Sequence, residues 1–238
     1  MTAPKVLAAG DAAFSIEFGD AIDPALNARV HALDRALAAA PLPGMVETVP
    51  TYRSLLVYFD PLRCDPAALR EALLARTAAT EGAAPAPGRL YRVPVRYGGA
   101  MGEDLEAVAA KLGLAPDELV RRHSAPEYRV YMIGFSPGLA YLGGLPAELV
   151  IPRRDDPRPA VPRGAVLMAG QQTLFYPVEM PTGFHVLGRT PVRAFDLARP
   201  EPFLLKPGDR VRFHAIGDAE YARLDAAAER GWTPEAEA

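Results

Sequence analysis

Proline is the residue type that most constrains the fold of this 238-residue chain. The sequence contains 25 prolines, and most of them follow residue 85. Proline lacks a backbone N–H and has a fixed φ, so it is confined largely to turns, strand edges and helix starts. The second part of the chain is therefore expected to be rich in loops and β-strands rather than helical.

Strand and helix patterns alternate in the first eighty residues. Residues 14–18 alternate apolar and polar side chains, which is the period of a half-buried strand. Asp23-Pro24 and Asp65-Pro66 each supply an N-cap followed by proline at the first helical position. These signals predict a small α+β domain over residues 1–80. Further strands are expected over residues 45–49 and 54–59.

Beyond this domain the pattern changes. Residues 81–89 are predicted to be a linker, because the stretch TAATEGAAPAPG around them has no large apolar anchor. Residues 90–218 contain many short β-like runs separated by glycine and proline, which favours a barrel or a sandwich. Residues 219–238 are predicted to be a terminal helix and tail.

Composition narrows the possible functions. The formal net charge of −3 and the acidic start of the helical pattern at residues 116–123 argue against nucleic-acid binding. With one cysteine, Cys64, and scattered histidines, no metal site is expected. No long apolar run and no phosphate-binding G-x-x-x-x-G-K-[ST] motif is present, so a cytoplasmic protein without its own ATP loop is expected.

Gly134-Phe-Ser-Pro-Gly138 matches G-x-S-x-G, the pattern of a hydrolase nucleophile elbow. In such an elbow the N–H after the serine helps to form the oxyanion hole, but Pro137 has no N–H. Loss of one such donor costs about 2.7–4 kcal/mol of transition-state stabilisation. Ser136 is therefore not expected to be a conventional nucleophile. A pocket-lining loop and a tight structural corner both remain open for this segment.

Two polar segments are candidates for ligand binding. Arg153, Arg154, Arg158 and Arg163 lie on a proline-stiffened loop, where guanidinium groups are able to clamp a carboxylate or phosphate. Ion pairs within a solvated loop are the alternative, and this alternative is favoured for Arg154 and Arg163.

The second segment carries amide and hydroxyl groups beside a strand. Gln171, Gln172 and Thr173 are able to donate and accept hydrogen bonds, which suits an amide or lactam substrate. Cross-strand polar pairing on a solvated face is the alternative, and on residue chemistry alone it is favoured.

Clustered motifs across nearly the whole chain resemble the allophanate hydrolase subunit 1 family. The motifs are Tyr131-Met-Ile-Gly-Phe-x-Pro-Gly-x-x-Tyr-Leu-Gly-Gly-Leu-Pro146, Pro152-Arg-Arg154, Pro157-Arg158, Val161-Pro162, Ala169-Gly170, Gln172-Thr173, Tyr176-Pro177, Gly188-Arg-Thr-Pro191 and Leu205-Lys-Pro-Gly-Asp-Arg-Val-Arg-Phe213. Members of the family include a subunit of an ATP-dependent 5-oxoprolinase, a sporulation-kinase inhibitor and carboxyltransferase parts of urea carboxylases.

The resemblance implies an α+β N-terminal domain followed by an all-β, cyclophilin-like barrel domain. It implies a subunit of an ATP-dependent 5-oxoprolinase that opens 5-oxo-L-proline to L-glutamate. The partners would be a homologous second subunit, also cyclophilin-like, and a third lactam-utilisation subunit, with ATP handled by the complex. Inhibition of a histidine kinase and a carboxyltransferase role in urea or allophanate metabolism are the alternatives.

Within this scheme the loop over residues 134–144, including Pro137 and Gly138, is expected to floor the pocket. Arg153 or Arg158 is expected to hold the substrate carboxylate. The segment formed by Gln171, Gln172 and Thr173 is expected to contact the ring amide, and the candidates for orientation or proton transfer are His123, Tyr131 and Tyr176.

The chain departs from the family pattern within these segments. Gln171 replaces an asparagine, Leu174 a glycine, and Ala160 an arginine. A Pro-Gly-Gly-Trp stretch has become Pro181-Thr-Gly-Phe184. These differences put the identity of the substrate in question.

Overall fold

The computed structural model describes residues 3–85 and 88–237, and the chain divides into two compact units between residues 86 and 87. The expected linker contains this boundary, and its residues 86 and 87 lie outside the described ranges. Each unit has a hydrophobic core of its own.

In the described part of the first unit, two helices accompany an antiparallel sheet with the strand order β1-β2-β4-β3. The Asp23 carboxylate accepts hydrogen bonds from the N–H groups of Ala25 and Leu26, and Asp65 accepts one from Ala67. Both predicted N-caps are thus confirmed. The elements are β1 (Lys5–Ala8), β2 (Ala13–Glu17), α1 (Pro24–Ala39), β3 (Met45–Pro50), β4 (Ser54–Phe59) and α2 (Pro66–Ala78).

The second unit is built around β-strands, as its proline content indicates. Two helices, α3 and α4, separate its first two strands, and short 3-10 helices lie at Gly99–Met101 and Ala147–Leu149. The elements are β5 (Leu90–Tyr97), α3 (Leu105–Lys111), α4 (Pro116–Ser124), β6 (Tyr128–Ile133), β7 (Ala140–Gly143), β8 (Arg158–Val161), β9 (Ala165–Ala169), β10 (Gln172–Phe175), β11 (Met180–Thr182), β12 (His185–Arg189), β13 (Arg210–Ala215), α5 (Asp218–Ala228) and β14 (Ala236–Glu237).

Within the described residues, seven strands of this unit close into a barrel. The order around the barrel is β5-β12-β9-β10-β7-β6-β13, and β13 returns to pair with β5. The β5–β13 pair is parallel, and the other neighbouring pairs are antiparallel. Of the barrel and the sandwich that the short strands left open, the structure has the barrel, which confirms the expectation from the family resemblance. Closure leaves its strands with paired edges.

The buried imidazole of His123, on α4, belongs to the core of this barrel. Its ring is 0% exposed and stacks on Phe213 at a centroid distance of 5.0 Å. The Thr173 hydroxyl donates to the Leu167 carbonyl oxygen at 2.9 Å, so it accepts from Nε2–H of His123 at 2.8 Å. The other ring nitrogen, Nδ1, accordingly accepts from the Tyr97 hydroxyl at 2.8 Å. Every polar group of the ring is satisfied while the ring is neutral.

Among the described residues, no helix combines the length and apolar character that are needed to cross a membrane.

The buried neutral histidine predicts a pH-dependent stability. Burial lowers the pKa of His123 to about 3 from its ordinary 6.5. Between these two pH values the unfolded chain binds a proton that the folded chain does not, so stability falls as pH falls through this window. The free energy of unfolding, compared with that of His123→Gln, should therefore drop by up to about 1.4 kcal/mol per pH unit below pH 6.

Urea unfolding of both proteins at a series of pH values measures this difference. Parallel stability curves for the wild type and the variant would contradict a neutral, buried His123.

Candidate functional site

The outer wall of the barrel carries a second apolar cluster, which is covered by a two-stranded ribbon. Strands β8 and β11 form the ribbon, with Met180 opposite Val161. Side chains alternate along β10, so Thr173 and Phe175 belong to the interior while Leu174 joins the outer cluster. The ribbon therefore creates a space outside the barrel that the barrel strands alone would not enclose.

A cleft of about 290 Å3 lies at the edge of this outer cluster. Aromatic side chains from separate segments line it, and Arg153 brings a positive charge to it. The segments are the loop between β6 and β7, the segment before β8, the end of β10 and the β11–β12 turn. The lining residues are Phe135, Leu139, Tyr141, Arg153, Leu174, Tyr176, Pro181, Thr182, Gly183 and Phe184.

Arg153 is the exposed cation of this cleft. Its guanidinium carbon lies 4.9 Å from the ring centroid of Phe184, which is a cation–π contact. In residues 3–85 and 88–237, no carboxylate forms an ion pair with Arg153. Its charge is therefore available to an anionic ligand.

Asp104 binds the two neighbouring arginines instead. Its carboxylate accepts from Arg154 Nη1 at 2.6 Å, from Arg158 Nη1 at 2.6 Å and from Arg158 Nη2 at 2.9 Å. It also accepts from the N–H of Val186, on β12, at 2.8 Å. Burial alone would raise the pKa of Asp104, but these hydrogen bonds and the two positive charges outweigh burial and lower that pKa.

This arrangement corrects the prediction for Arg158. Both of its terminal nitrogens point to carboxylates, since Nη2 also contacts Glu103 at 3.2 Å. A substrate carboxylate would have to displace Asp104, which is 5% exposed and would lose one of the two arginines that compensate its buried charge. Arg153 is the better-placed candidate.

The structure places His123 and Thr173 away from this cleft, which does not favour their predicted roles. Both side chains lie inside the barrel, and neither lines the outer cleft. Their hydrogen bonds to each other, to Tyr97 and to Leu167 fix the core, so they support the fold and do not touch a ligand in the cleft.

Tyr131 also lies outside the cleft lining. Its buried ring packs against the Cα of Gly143, on β7, where a side chain would collide with it. Tyr176 does line the cleft, and its hydroxyl donates to the Pro181 carbonyl oxygen at 3.1 Å. Of the predicted tyrosines, Tyr176 is thus the one that the structure places beside Arg153.

Gln171 and Gln172 lie at the opposite end of β10 from Tyr176. Gln171 is exposed in the tight turn between β9 and β10, and Gln172 is half-buried at the first position of β10. Gln172 shares its face of β10 with Leu174 and Tyr176, but neither Gln171 nor Gln172 is among the residues that line the cleft. The predicted contact of these glutamines with a ligand beside Arg153 is not supported by this position.

The G-x-S-x-G segment forms the turn of a β-hairpin. It connects the antiparallel strands β6 and β7, and the N–H of Leu139 donates to the Ser136 carbonyl oxygen at 3.1 Å. A nucleophile elbow joins a strand to a helix, so this geometry agrees with the exclusion of Ser136. Pro137 is exposed at the tip and Gly138 is buried at its base.

Sequence reasoning assigned no binding role to five residues that line the cleft: Leu174, Pro181, Thr182, Gly183 and Phe184. Leu174 and Tyr176 are two positions apart and therefore share a face of the strand, which is a usable signal. Thr182 and Phe184 lie in the stretch that departs from the family pattern. Their place in the cleft depends on the β8–β11 pairing, of which the sequence carries no direct sign.

The closed barrel with its outer ribbon and adjoining cleft defines a single-barrel domain with a candidate site on its exterior. The chain belongs to the carboxyltransferase domain family, subdomains C and D, which matches residues 4–205. The family resemblance expected from the motifs is therefore confirmed.

Known relatives agree with this membership. A protein of Bacillus subtilis (strain 168) that is named as a subunit of 5-oxoprolinase is 36% identical over 222 residues, which cover 89% of this chain and 92% of that relative. A crystal structure of TTHA0988 is 40% identical, has a TM-score of 0.74 and covers 86% of this chain, which spans 40% of that longer chain. The Kluyveromyces lactis urea amidolyase shares the fold, with a TM-score of 0.82 at 19% identity over 99% of this chain and 16% of that one.

The hairpin predicts unequal effects for two glycine substitutions. Gly138 has a φ of +77°, and an added Cβ would lie 2.6 Å from the Cβ of Phe195. Gly138→Ala should therefore lower the free energy of unfolding by about 1–3 kcal/mol. Gly134→Ala is the matched control, because an added Cβ at Gly134 meets no atom within 4 Å.

Thermal or urea unfolding of both variants measures the difference. Equal stabilities for Gly138→Ala and Gly134→Ala would show that the close approach at Gly138 does not fix the hairpin.

Proposed function

We propose that this chain is a subunit of an ATP-dependent 5-oxoprolinase and that the outer cleft binds 5-oxo-L-proline. The observation that carries the proposal is Arg153, a cation without a carboxylate partner in the described residues, held over Phe184 beside the cleft. The substrate is a small lactam with one carboxylate, which matches a cleft with one available guanidinium and aromatic walls. The relatives that are named as 5-oxoprolinase subunits supply independent support.

In this proposal the residues of the chain bind and orient the lactam. Arg153 holds the carboxylate, while Phe184 supports the guanidinium from below and thereby limits its movement. The hydroxyl-bearing side chains that line the cleft, Tyr141, Tyr176 and Thr182, are the proposed contacts for the ring amide. Lactam opening adds water across the C–N bond, which gives the amine and the second carboxylate of L-glutamate.

The coupling of this step to ATP is proposed to require the rest of the complex. No phosphate-binding glycine-rich motif occurs in the sequence, so ATP is expected to be bound with or by the partners. These partners are proposed to be a homologous second subunit and a third lactam-utilisation subunit in the same cytoplasmic complex.

A carboxyl-transfer component is the second candidate function. The family name and the fold shared with a urea amidolyase favour it. Arg153 would then hold a carboxylated acceptor, and biotin would have to be carried by a partner. Activity that depends on bicarbonate rather than on 5-oxo-L-proline would identify this function.

The proposal predicts a specific effect of Arg153→Gln. Loss of a charge-assisted pair with the substrate carboxylate should raise the KM for 5-oxo-L-proline by about 10–100-fold, with a smaller change in kcat. The measurement is 5-oxoproline-dependent ADP release by the chain coexpressed with its companion subunits.

Arg163→Gln is the control, because Arg163 lies near Asp225 and Glu229 of the terminal helix region rather than in the cleft. An unchanged KM in Arg153→Gln would remove Arg153 from substrate binding. Equal losses in both variants would indicate a general effect of lost positive charge.

A further inference from the structure

The backbone on both sides of Arg153 is tied to the start of β12. The Pro152 carbonyl oxygen, in the peptide group before Arg153, accepts from His185 Nε2 at 2.9 Å. The Arg154 N–H, in the peptide group after Arg153, donates to the Gly183 carbonyl oxygen at 2.8 Å. Both peptide planes next to Arg153 are thereby fixed, which restricts its φ and ψ.

His185 supplies the side-chain half of this attachment. A carbonyl oxygen only accepts hydrogen bonds, so Nε2 of His185 carries a proton. The residue is 4% exposed, and its hydrogen bond to Pro152 therefore competes little with water. His185 is also one residue away from Phe184, whose ring lies under the guanidinium of Arg153.

Successive side chains of the 152–154 segment take opposite directions. Arg153 reaches the cleft, whereas Arg154 pairs with Asp104 in a neighbouring polar space that His185 also lines. Gly183 lies beside the Arg153 side chain, since an added Cβ at Gly183 would be 3.9 Å from Arg153 Cδ. The path of the Arg153 side chain thus depends on where the backbone at residues 152–154 is held.

We propose that His185 is a positioning residue that holds Arg153 over Phe184 by means of its hydrogen bond to Pro152. The identity of the ligand rests on the proposed function, but the positioning does not. His185 directly follows the stretch at 181–184 that departs from the family pattern, so its attachment to Pro152 links that stretch to the arginine of the cleft.

The test compares His185→Leu with His185→Gln in the full-length chain. Leucine removes the donor, whereas the glutamine amide retains an N–H able to reach Pro152. The ligand-independent measurement is the NMR chemical shift of the Arg153 δ-methylene protons, which the Phe184 ring should move upfield. Phe184→Leu gives the reference position of these protons without the ring.

In His185→Leu the Arg153 signals should move toward their position in Phe184→Leu, and in His185→Gln they should stay near the wild-type position. Titration with 5-oxo-L-proline should show affinity reduced by about tenfold in the leucine variant and restored to within about threefold in the glutamine variant.

The outcomes separate the two hypotheses. Wild-type Arg153 signals in His185→Leu would overturn the positioning role, whether or not the ligand binds. A wild-type chain that shows the upfield signals and binds no 5-oxo-L-proline, alone or with its partner subunits, would overturn the proposed substrate and leave the positioning role supported. Equal displacement of the Arg153 signals in the leucine and glutamine variants would also overturn the hydrogen bond as the cause.

Discussion

The buried carboxylate of Asp104 is the interaction on which the cleft depends. It binds Arg154 and Arg158 and also accepts from the backbone of β12, so it ties the arginine-bearing segment to the barrel wall. Removal of one member of such a buried pair costs about 3–5 kcal/mol, because the remaining charge is left uncompensated. Since Arg154 and Arg158 are engaged by Asp104 and Arg158 also contacts Glu103, Arg153 is the arginine of this segment that the cleft can offer to a ligand.

Much of the framework could be predicted from local chemistry. The two Asp-Pro pairs indicate helix starts, and Pro137 is enough to exclude a nucleophile elbow, because both signals depend on a residue and its nearest neighbours. The short strands indicate a barrel or a sandwich, and the family resemblance decides between them. The expectation that the hairpin loop and the arginine segment share one cleft also agrees with the lining by Phe135 and Arg153.

The choice among similar residues could not be predicted, because it depends on contacts between distant parts of the chain. Arg153 and Arg158 look equivalent in the sequence, and only Asp104, some fifty residues earlier, distinguishes them. The alternation of side chains along β10 decides which of residues 173 and 174 faces the barrel interior and which faces the exterior. A shift of the strand pairing by one position would exchange the two faces. The hydroxyl of Thr173 makes it a candidate for ligand binding in the sequence, but in the structure that hydroxyl is hydrogen-bonded to His123 in the core.

The ribbon of β8 and β11 places the candidate cleft outside the closed barrel that maintains the architecture. The closed strands and their internal hydrogen-bonded histidine hold the shape, while the contacting surface is assembled on the exterior from a separate hairpin-like layer and nearby turns. Changes in that layer need not disturb the strands beneath it. The stretch at 181–184 is joined to the cleft arginine through Gly183 and Phe184, so a substitution there would alter the cleft while the hydrogen bonds of the barrel interior stay in place.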